Sequence, residues 1–279
     1  MKKIIILTGA ELRHTAFRQA LAATDGITVL KTYCEGLEKS LRTIVEAREH
    51  ENTQPELSHL DARAQSEEDF FGFFCAYSQD DSNPTFIPKG TINEPRYVDE
   101  ITLLNPDLLI AYGCSIIKEP LLSFFQRRFL NVHLGLSPYY RGSGTNFWPL
   151  VNGEPEYVGA TFMYIDAGVD TGEVIHQIRA RIFPNDMLHQ IGNRLICDMT
   201  KTYGEIILKQ YDLETIPQIP DPPQSKFYRK KDFTAEAVAR VEQQFANGMI
   251  SRFLTQREVR YASAPIVEHP KVLEAHKLS

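Results

Sequence analysis

Five consecutive apolar residues, Leu108 to Tyr112, stand between the pair Asn105-Pro106 and Gly113. A strand with no polar position has no face to give to water, so it belongs in the middle of a parallel sheet covered on both sides. The chain before it follows the same logic. Ile4–Leu7 is a short apolar run ending in Thr8-Gly9, and Leu12, Ala16, Phe17, Ala20 and Leu21 then recur at helical spacing. Ile27–Tyr33 reads as a second strand, with Leu37, Leu41, Ile44 and Val45 as the stripe of a second helix. Thr85–Ile87 reads as a strand, Pro95–Leu104 as a helix stopped ahead of Pro106, Pro120–Arg127 as a helix and Phe129–His133 as a strand. Strands alternating with helices predict an α/β fold: an open, mostly parallel twisted sheet with helices on both faces. Ligands of such sheets bind beyond the carboxyl ends of the strands. Gly9, Gly113 and His133 lie at those ends.

The stretch from Phe129 to His176 is dense in groups that serve a plain core poorly. Asn131 and His133 alternate with Leu130 and Val132, so on a strand both polar side chains face one side. The chain then turns through Gly135, Pro138, Gly142 and Gly144, with Arg141 among them. A second apolar run, Ala160–Ile165, leads into Asp166, Gly168, Asp170 and Gly172. An amide, an imidazole and a carboxylate brought together in this way point to polar chemistry on an electrophile. Taken singly, each has a plainer reading: His133 as a core histidine, Asp170 as a turn residue, Trp148 as packing.

Other chemistries lack their signatures. Thr8-Gly9-Ala10-Glu11 is not G-x-G-x-x-G, no G-x-x-x-x-G-K-[ST] occurs, and Ser137 is not in a G-x-S-x-G elbow. The four cysteines form no C-x-x-C pair, and His133, His176 and His189 are spaced too loosely for a ligand set, so no metal is expected. The net charge of −6 argues against a protein that grips nucleic acid by its phosphates. The apolar run near the N-terminus is four residues, shorter than a signal sequence needs, and none approaches the roughly 18 of a membrane span. A cytoplasmic protein without a membrane partner is the expectation.

After a strand at Val174–Ile178, the residues Leu188, Ile191, Leu195, Met199, Tyr203 and Ile206 predict an amphipathic helix to about Gln210. Residues 46–69 are highly charged, suiting a solvated helix pair or a mobile excursion. Residues 216–223 carry four prolines and read as a linker. Beyond them come the basic cluster Arg229, Lys230 and Lys231, a helix over Ala235–Phe245 and a polar tail. The expected division is a main domain at 1–215 and, at 216–279, a linker with a small C-terminal helical appendage. That appendage is too small for its own core, so it should pack on the main domain or build a homodimer.

The run Asn131-Val132-His133-Leu134-Gly135-Leu136-Ser137-Pro138, then Tyr140-Arg141-Gly142, then Asp166 to Asp170-Thr171-Gly172, resembles the folate-dependent formyltransferase family. Its pattern is N-[IV]-H-P-S-L-L-P, an R-G shortly after, and a D-x-G-x-D-[TS]-G loop. The chain departs at Leu134, Gly135 and Ser137. The resemblance implies transfer of a formyl group from N10-formyltetrahydrofolate to a primary amine, with residues 1–215 as the catalytic domain. It implies Asn131 and His133 as donors to the developing oxyanion and Asp170 as the partner of His133. Gly113, Cys114, Ser115, Ile116 and Ile117 would line the pterin slot, closed by the loop of Asp166 and Gly168. The segment from Ser137 to Trp148 looks closest to enzymes that formylate amino sugars. A nucleotide-linked amino sugar is thus the expected acceptor, contacted by Arg13, Ser137, Tyr140, Arg141, Asn146 and Trp148. Hydroxyornithine-type amines, glycinamide ribotide and 10-formyltetrahydrofolate hydrolysis are the alternatives; a non-enzymatic folate-binding protein would not need the trio.

Overall fold

A computed structural model describes residues 1–48, 52–218 and 224–272. Its centre follows from alternation in two strands, β1 (Lys2–Gly9) and β4 (Leu108–Tyr112). Ile4, Ile6, Leu108 and Ile110 enter one apolar cluster; Ile5, Leu7, Leu109 and Ala111 enter another on the opposite face. The first cluster takes up α1 (Leu12–Ala22), and the second α5 (Pro95–Leu104). Between α1 and β4 come β2 (Ile27–Glu35), the helices α2 (Leu41–Glu46), α3 (Gln54–Glu67) and α4 (Phe73–Tyr77), then β3 (Pro84–Ile87). After β4 follow α6 (Leu121–Phe124), β5 (Phe129–His133), β6 (Tyr140–Gly142), α7 (Trp148–Val151), β7 (Gly159–Tyr164), β8 (Val174–Arg179) and α8 (Leu188–Lys209). α8 lies with α1 on the first face, burying Ile191, Leu195, Met199, Tyr203 and Ile206 as the periodicity predicts.

The seven-stranded sheet runs β3-β2-β1-β4-β5-β7-β8. Pairs from β3 to β5 are parallel; β7 is antiparallel to β5 and to β8. The open, mostly parallel sheet with helices on both faces is therefore present.

Local details differ from expectation. The helix after Pro120 covers only Leu121–Phe124, because Phe125 leaves helical geometry and Arg127 adopts φ 57°. Leu37 is exposed ahead of α2, which starts only after its cap Ser40 accepts from Thr43 N at 3.1 Å. Residues 52–69 are more than a solvated excursion: Leu60 is buried, and the carboxylates of Glu56 and Glu67 are buried against Arg48 and Arg13. Within the charged segment, residues 49–51 lie outside the described residues, as do 219–223 of the proline-rich linker.

Residues 224–272 contribute β9 (Lys226–Tyr228), α9 (Ala235–Ala246), α10 (Met249–Thr255) and α11 (Arg257–Ser263). β9 pairs in parallel with β6 as a second small sheet, Gly142 facing Tyr228. Val241, Met249, Ile250 and Phe253 join the first apolar cluster, and Phe233 and Val238 pack with Val45 and Leu60. Among the described residues no helix is long and apolar enough to cross a membrane.

Two histidines in this packing give a pH prediction. The rings of His59 and His189 lie 4.7 Å apart, and His59 also touches Phe147 and Phe233. Burial, then Arg63, pushes His59 down to about 4; burial, then His59 and Arg63, pushes His189 down to about 3. The unfolded chain binds protons at both sites below its ordinary value of 6.5, whereas the fold keeps the rings neutral to lower pH. Their contribution is present above 6.5 and is lost as pH falls from there toward 4. Chemical denaturation at pH 7 and pH 5 should show that loss, and the double change His59→Gln, His189→Gln should flatten it.

Candidate active site

β5 sets the geometry. Leu130 and Val132 face the first cluster, so Phe129, Asn131 and His133 stand on the other side. His133 is 7% exposed, with Nδ1 3.2 Å from Asp170 Oδ2 and Nε2 2.9 Å from Tyr140 O. Both ring nitrogens thus face oxygen atoms, one a carboxylate and one a backbone carbonyl. Asn131 is half-buried two residues earlier, its side chain making no hydrogen bond among the described residues. The chain must then leave β5 without touching the ring. A Cβ on Gly135 would lie 2.6 Å from His133 Nε2, so the departure from the family's serine sits where only glycine fits.

Asp170 arrives from the loop between β7 and β8. That loop starts with Ile165 N on Phe129 O at 2.9 Å and runs back to His133. Its bend is internal: the Asp166 carboxylate accepts from Gly168 N at 3.0 Å and Thr171 Oγ1 at 2.8 Å. Asp170 is left-handed at φ 56°, which Asp tolerates better than most residues. Gln218 Nε2 spans the bend, donating to Asp170 O at 3.0 Å and Gly172 O at 2.8 Å. Gly142 N donates to Asp170 Oδ2 at 3.3 Å, tying the carboxylate to the β6–β9 ribbon.

Behind the turn from Gly135 to Pro138 lies a filled polar node. Thr161 Oγ1 donates to Gly135 O at 2.7 Å and accepts from Ser137 N at 3.0 Å and Gln177 Nε2 at 2.9 Å. Gln177 Nε2 also reaches Ser137 O at 2.6 Å. With Thr161 and Gln177 both buried, the turn has little freedom to drift.

The loop after β4 is held from below by a carboxylate. Glu35, 1% exposed at the end of β2, accepts from Lys89 Nζ at 2.8 Å, Gly90 N at 3.0 Å and Ser115 N at 2.6 Å. Lys89 Nζ also reaches Gly113 O at 3.4 Å. Gly113 has φ 70°, and a Cβ there would lie 2.5 Å from His14 Nε2. The His14 imidazole is pushed well below its ordinary value by burial, then by Arg13, Arg63 and Lys89. Burial and then Glu35 push the Cys114 thiol up to about 12. Ile116 is 64% exposed over this loop, whereas Ile117 is buried in the second cluster.

The residues expected to touch the acceptor divide into two groups. Arg13 is paired with Glu11 and Glu67, Tyr140 is fully buried with its hydroxyl on Glu154, and Trp148 is stacked 4.1 Å from Tyr228 with its N–H on Ser143 O at 3.0 Å. Those three are committed to protein partners. Ser137 Oγ and both polar atoms of the Asn146 amide are buried without a hydrogen-bond partner among the described residues. Arg141 is half-buried on β6 opposite Phe227. The sequence reading passed over Glu35, Gln177 and Gln218. A carboxylate closing the otherwise buried Tyr33-Cys34-Glu35 was a legible signal; the two glutamines carried none.

Comparison with known proteins gives the family and the fold. The formyl transferase family model matches residues 44–207. Methionyl-tRNA formyltransferase of Acetivibrio thermocellus is 32% identical over 149 residues, 53% of this chain and 47% of that one. The enzyme of the same name from Geobacter metallireducens is 37% identical over 126 residues, 44% of this chain and 40% of that one. The chain thus spans about half the length or less of these curated relatives. Among solved structures, phosphoribosylglycinamide formyltransferase from Anaplasma phagocytophilum has a TM-score of 0.53 at 14% identity, covering 82% of this chain and 98% of that one. An N-formyltransferase from Helicobacter canadensis, in complex with folinic acid and dTDP-3-aminofucose, also has a TM-score of 0.53, at 15% identity, covering 86% and 79%. At such identities these neighbours speak to the fold.

Proposed function

Because this chain belongs to the formyl transferase family, we propose that it transfers a formyl group from N10-formyltetrahydrofolate to a primary amine. The leading acceptor is the amino group of a nucleotide-linked amino sugar. The observation that carries the reading is the pair His133–Asp170, 3.2 Å apart on the strand face that also bears Asn131. A core histidine needs one partner and no carboxylate; this one has both, beside an unpartnered amide.

The residues present fit a folate. The Gly113–Ile117 loop offers backbone groups and an exposed Ile116 face, and the loop after β7 carries Asp170 to His133. The bound folate supplies the formyl carbon as electrophile. Asn131 donates its amide N–H to the formyl oxygen as charge grows there, and His133 turns its Nε2–H from Tyr140 O to the same oxygen. Preorganised donors of this kind lower a barrier by roughly 3–4 kcal/mol each. Asp170 holds the ring through Nδ1, and the proton that the amine sheds would pass by way of its carboxylate to the leaving nitrogen of tetrahydrofolate as the carbon–nitrogen bond breaks. The node of Thr161 and Gln177 keeps the turn after His133 in register.

The aminoacyl-tRNA acceptor named for the curated relatives is the second reading, favoured by sequence similarity over half of the chain. The net charge of −6 weighs against it. The decisive assay offers 10-formyltetrahydrofolate with amino-sugar nucleotides, hydroxyornithine, glycinamide ribotide, methionyl-tRNA or no acceptor. Tetrahydrofolate release should depend on an amino-sugar nucleotide. Release without any acceptor would make the protein a hydrolase, and release with methionyl-tRNA alone would select the second reading.

A further inference from the structure

Away from His133, the described residues enclose a cavity of about 520 Å³ lined by Ile44, Arg48, Arg229, Lys230, Lys231 and Thr234. Four of these six side chains are cationic and none is acidic. Pockets for neutral organic ligands are mostly apolar; this lining suits a multiply charged anion. Arg48 is fixed on one wall, donating to Glu56 Oε1 at 3.2 Å and Phe233 O at 2.9 Å. Thr234 caps α9, so the positive end of a twelve-residue helix opens on the same space. Carboxylates on the adjoining elements already have partners, three of them on lining residues. Glu56 is on Arg48, Asp232 on Arg229 N, Glu236 on Thr234, Glu38 on Lys89 N, and Glu11 on Arg13 and Arg63.

The cavity also points toward the candidate active site. Lys230 Nζ donates to Lys39 O at 2.5 Å, and its amine is lowered by burial and then by Lys89, the residue that binds Glu35 and Gly113 O. Lys230 is therefore near enough to Lys89 to feel its charge. On the other side, Arg229 directly follows Tyr228, the register partner of Gly142, whose N–H reaches Asp170. With about 3.8 Å between successive Cα atoms and about 4.8 Å between paired strands, the Cα of Lys230 lies within about 12 Å of that of Gly142. A sugar and its diphosphate span a similar length.

We propose that this cavity binds the diphosphate of a nucleotide-linked acceptor through Arg229, Lys230 and Lys231, with the sugar amine directed along β9 toward His133. The direction of the amine rests on the formyl-transfer reading; binding of the diphosphate does not. tRNA phosphates are the competing occupant. They are disfavoured because the cationic cluster is confined to one small pocket on a chain of net charge −6.

The test uses the full chain and the double variant Arg229→Gln, Lys231→Gln, both residues being exposed. Calorimetry with UDP, dTDP and inorganic pyrophosphate should show binding by the wild type, weakened roughly tenfold or more in the variant. Pyrophosphate should compete with the nucleotides, and the acceptor KM should rise with kcat nearly unchanged. Equal binding by the variant, or no diphosphate binding by a wild type that binds methionyl-tRNA, overturns the assignment. Formyl transfer to an amino-sugar nucleotide with an unchanged KM in the variant would refute the cavity and leave the function standing. Variant-sensitive diphosphate binding without formyl transfer to any acceptor would refute the function and support the cavity.

Discussion

Asp170→Asn should leave a folded protein that binds folate nearly as well as the wild type and turns over roughly 10² to 10⁴ times more slowly. The amide is close to isosteric, so the left-handed backbone and the Gln218 clamp on the carbonyls of Asp170 and Gly172 need not change. What disappears is the negative charge 3.2 Å from His133 Nδ1 and the base that accepts the proton of the amine. His133→Ala should be at least as damaging, since it also removes the Nε2 donor. Single-turnover kinetics separates this chemical defect from binding. A kcat within a factor of a few of wild type, in either variant, would remove the pair from the reaction.

Phe253→Ala should lower stability by about 3–5 kcal/mol, enough to lower the melting temperature by roughly 10 °C. Phe253 is fully buried on α10, in the same apolar cluster as Trp148, Leu150 and Tyr203. The surrounding segment is also stitched to the sheet by polar contacts. Arg179 donates to Glu156 O at 2.5 Å and to Ala264 O, and Tyr139 OH donates to Pro265 O at 3.0 Å. Gln177 Oε1 accepts from Val267 N at 2.9 Å. Melting followed by both circular dichroism and tyrosine fluorescence should therefore show one transition, shifted as a whole. Separate loss of the C-terminal helices, with the sheet melting unchanged, would show that they do not share its core.

The sheet was legible because burial on both faces leaves an unbroken trace in sequence. Leu108–Tyr112 and Phe129–His133 have the same limits when read as patterns and when seen as strands. The polar trio was legible for a related reason: Asn131 and His133 interrupt an apolar strand at its carboxyl end. The C-terminal helices were less so. α10 buries Met249, Ile250 and Phe253 in a short segment flanked by polar residues, too brief for a periodic stripe. The pairing of β6 with β9 joins three-residue strands far apart in the chain, and no local pattern encodes such a partner. The same limit hid Gln218, whose two hydrogen bonds reach back to Asp170 and Gly172. Glu35 stood out as a carboxylate closing an apolar strand, but its partners Lys89 and Ser115 are seen only in the fold. Cofactor-loop support of this kind is spread over several turns, each ordinary by itself.

The small ribbon of β6 and β9 also bears on the order in which the molecule is made. Every strand of the large sheet has left the ribosome before Lys226 is translated. The growing chain can thus acquire its central scaffold while the turn carrying Tyr140 and Gly142 still lacks its partner. The backbone that presents a carbonyl to His133 and an N–H to Asp170 is braced only when β9 folds back on it. The support of His133 and Asp170 thus arrives after the strands of the large sheet and together with the C-terminal part of its apolar cluster.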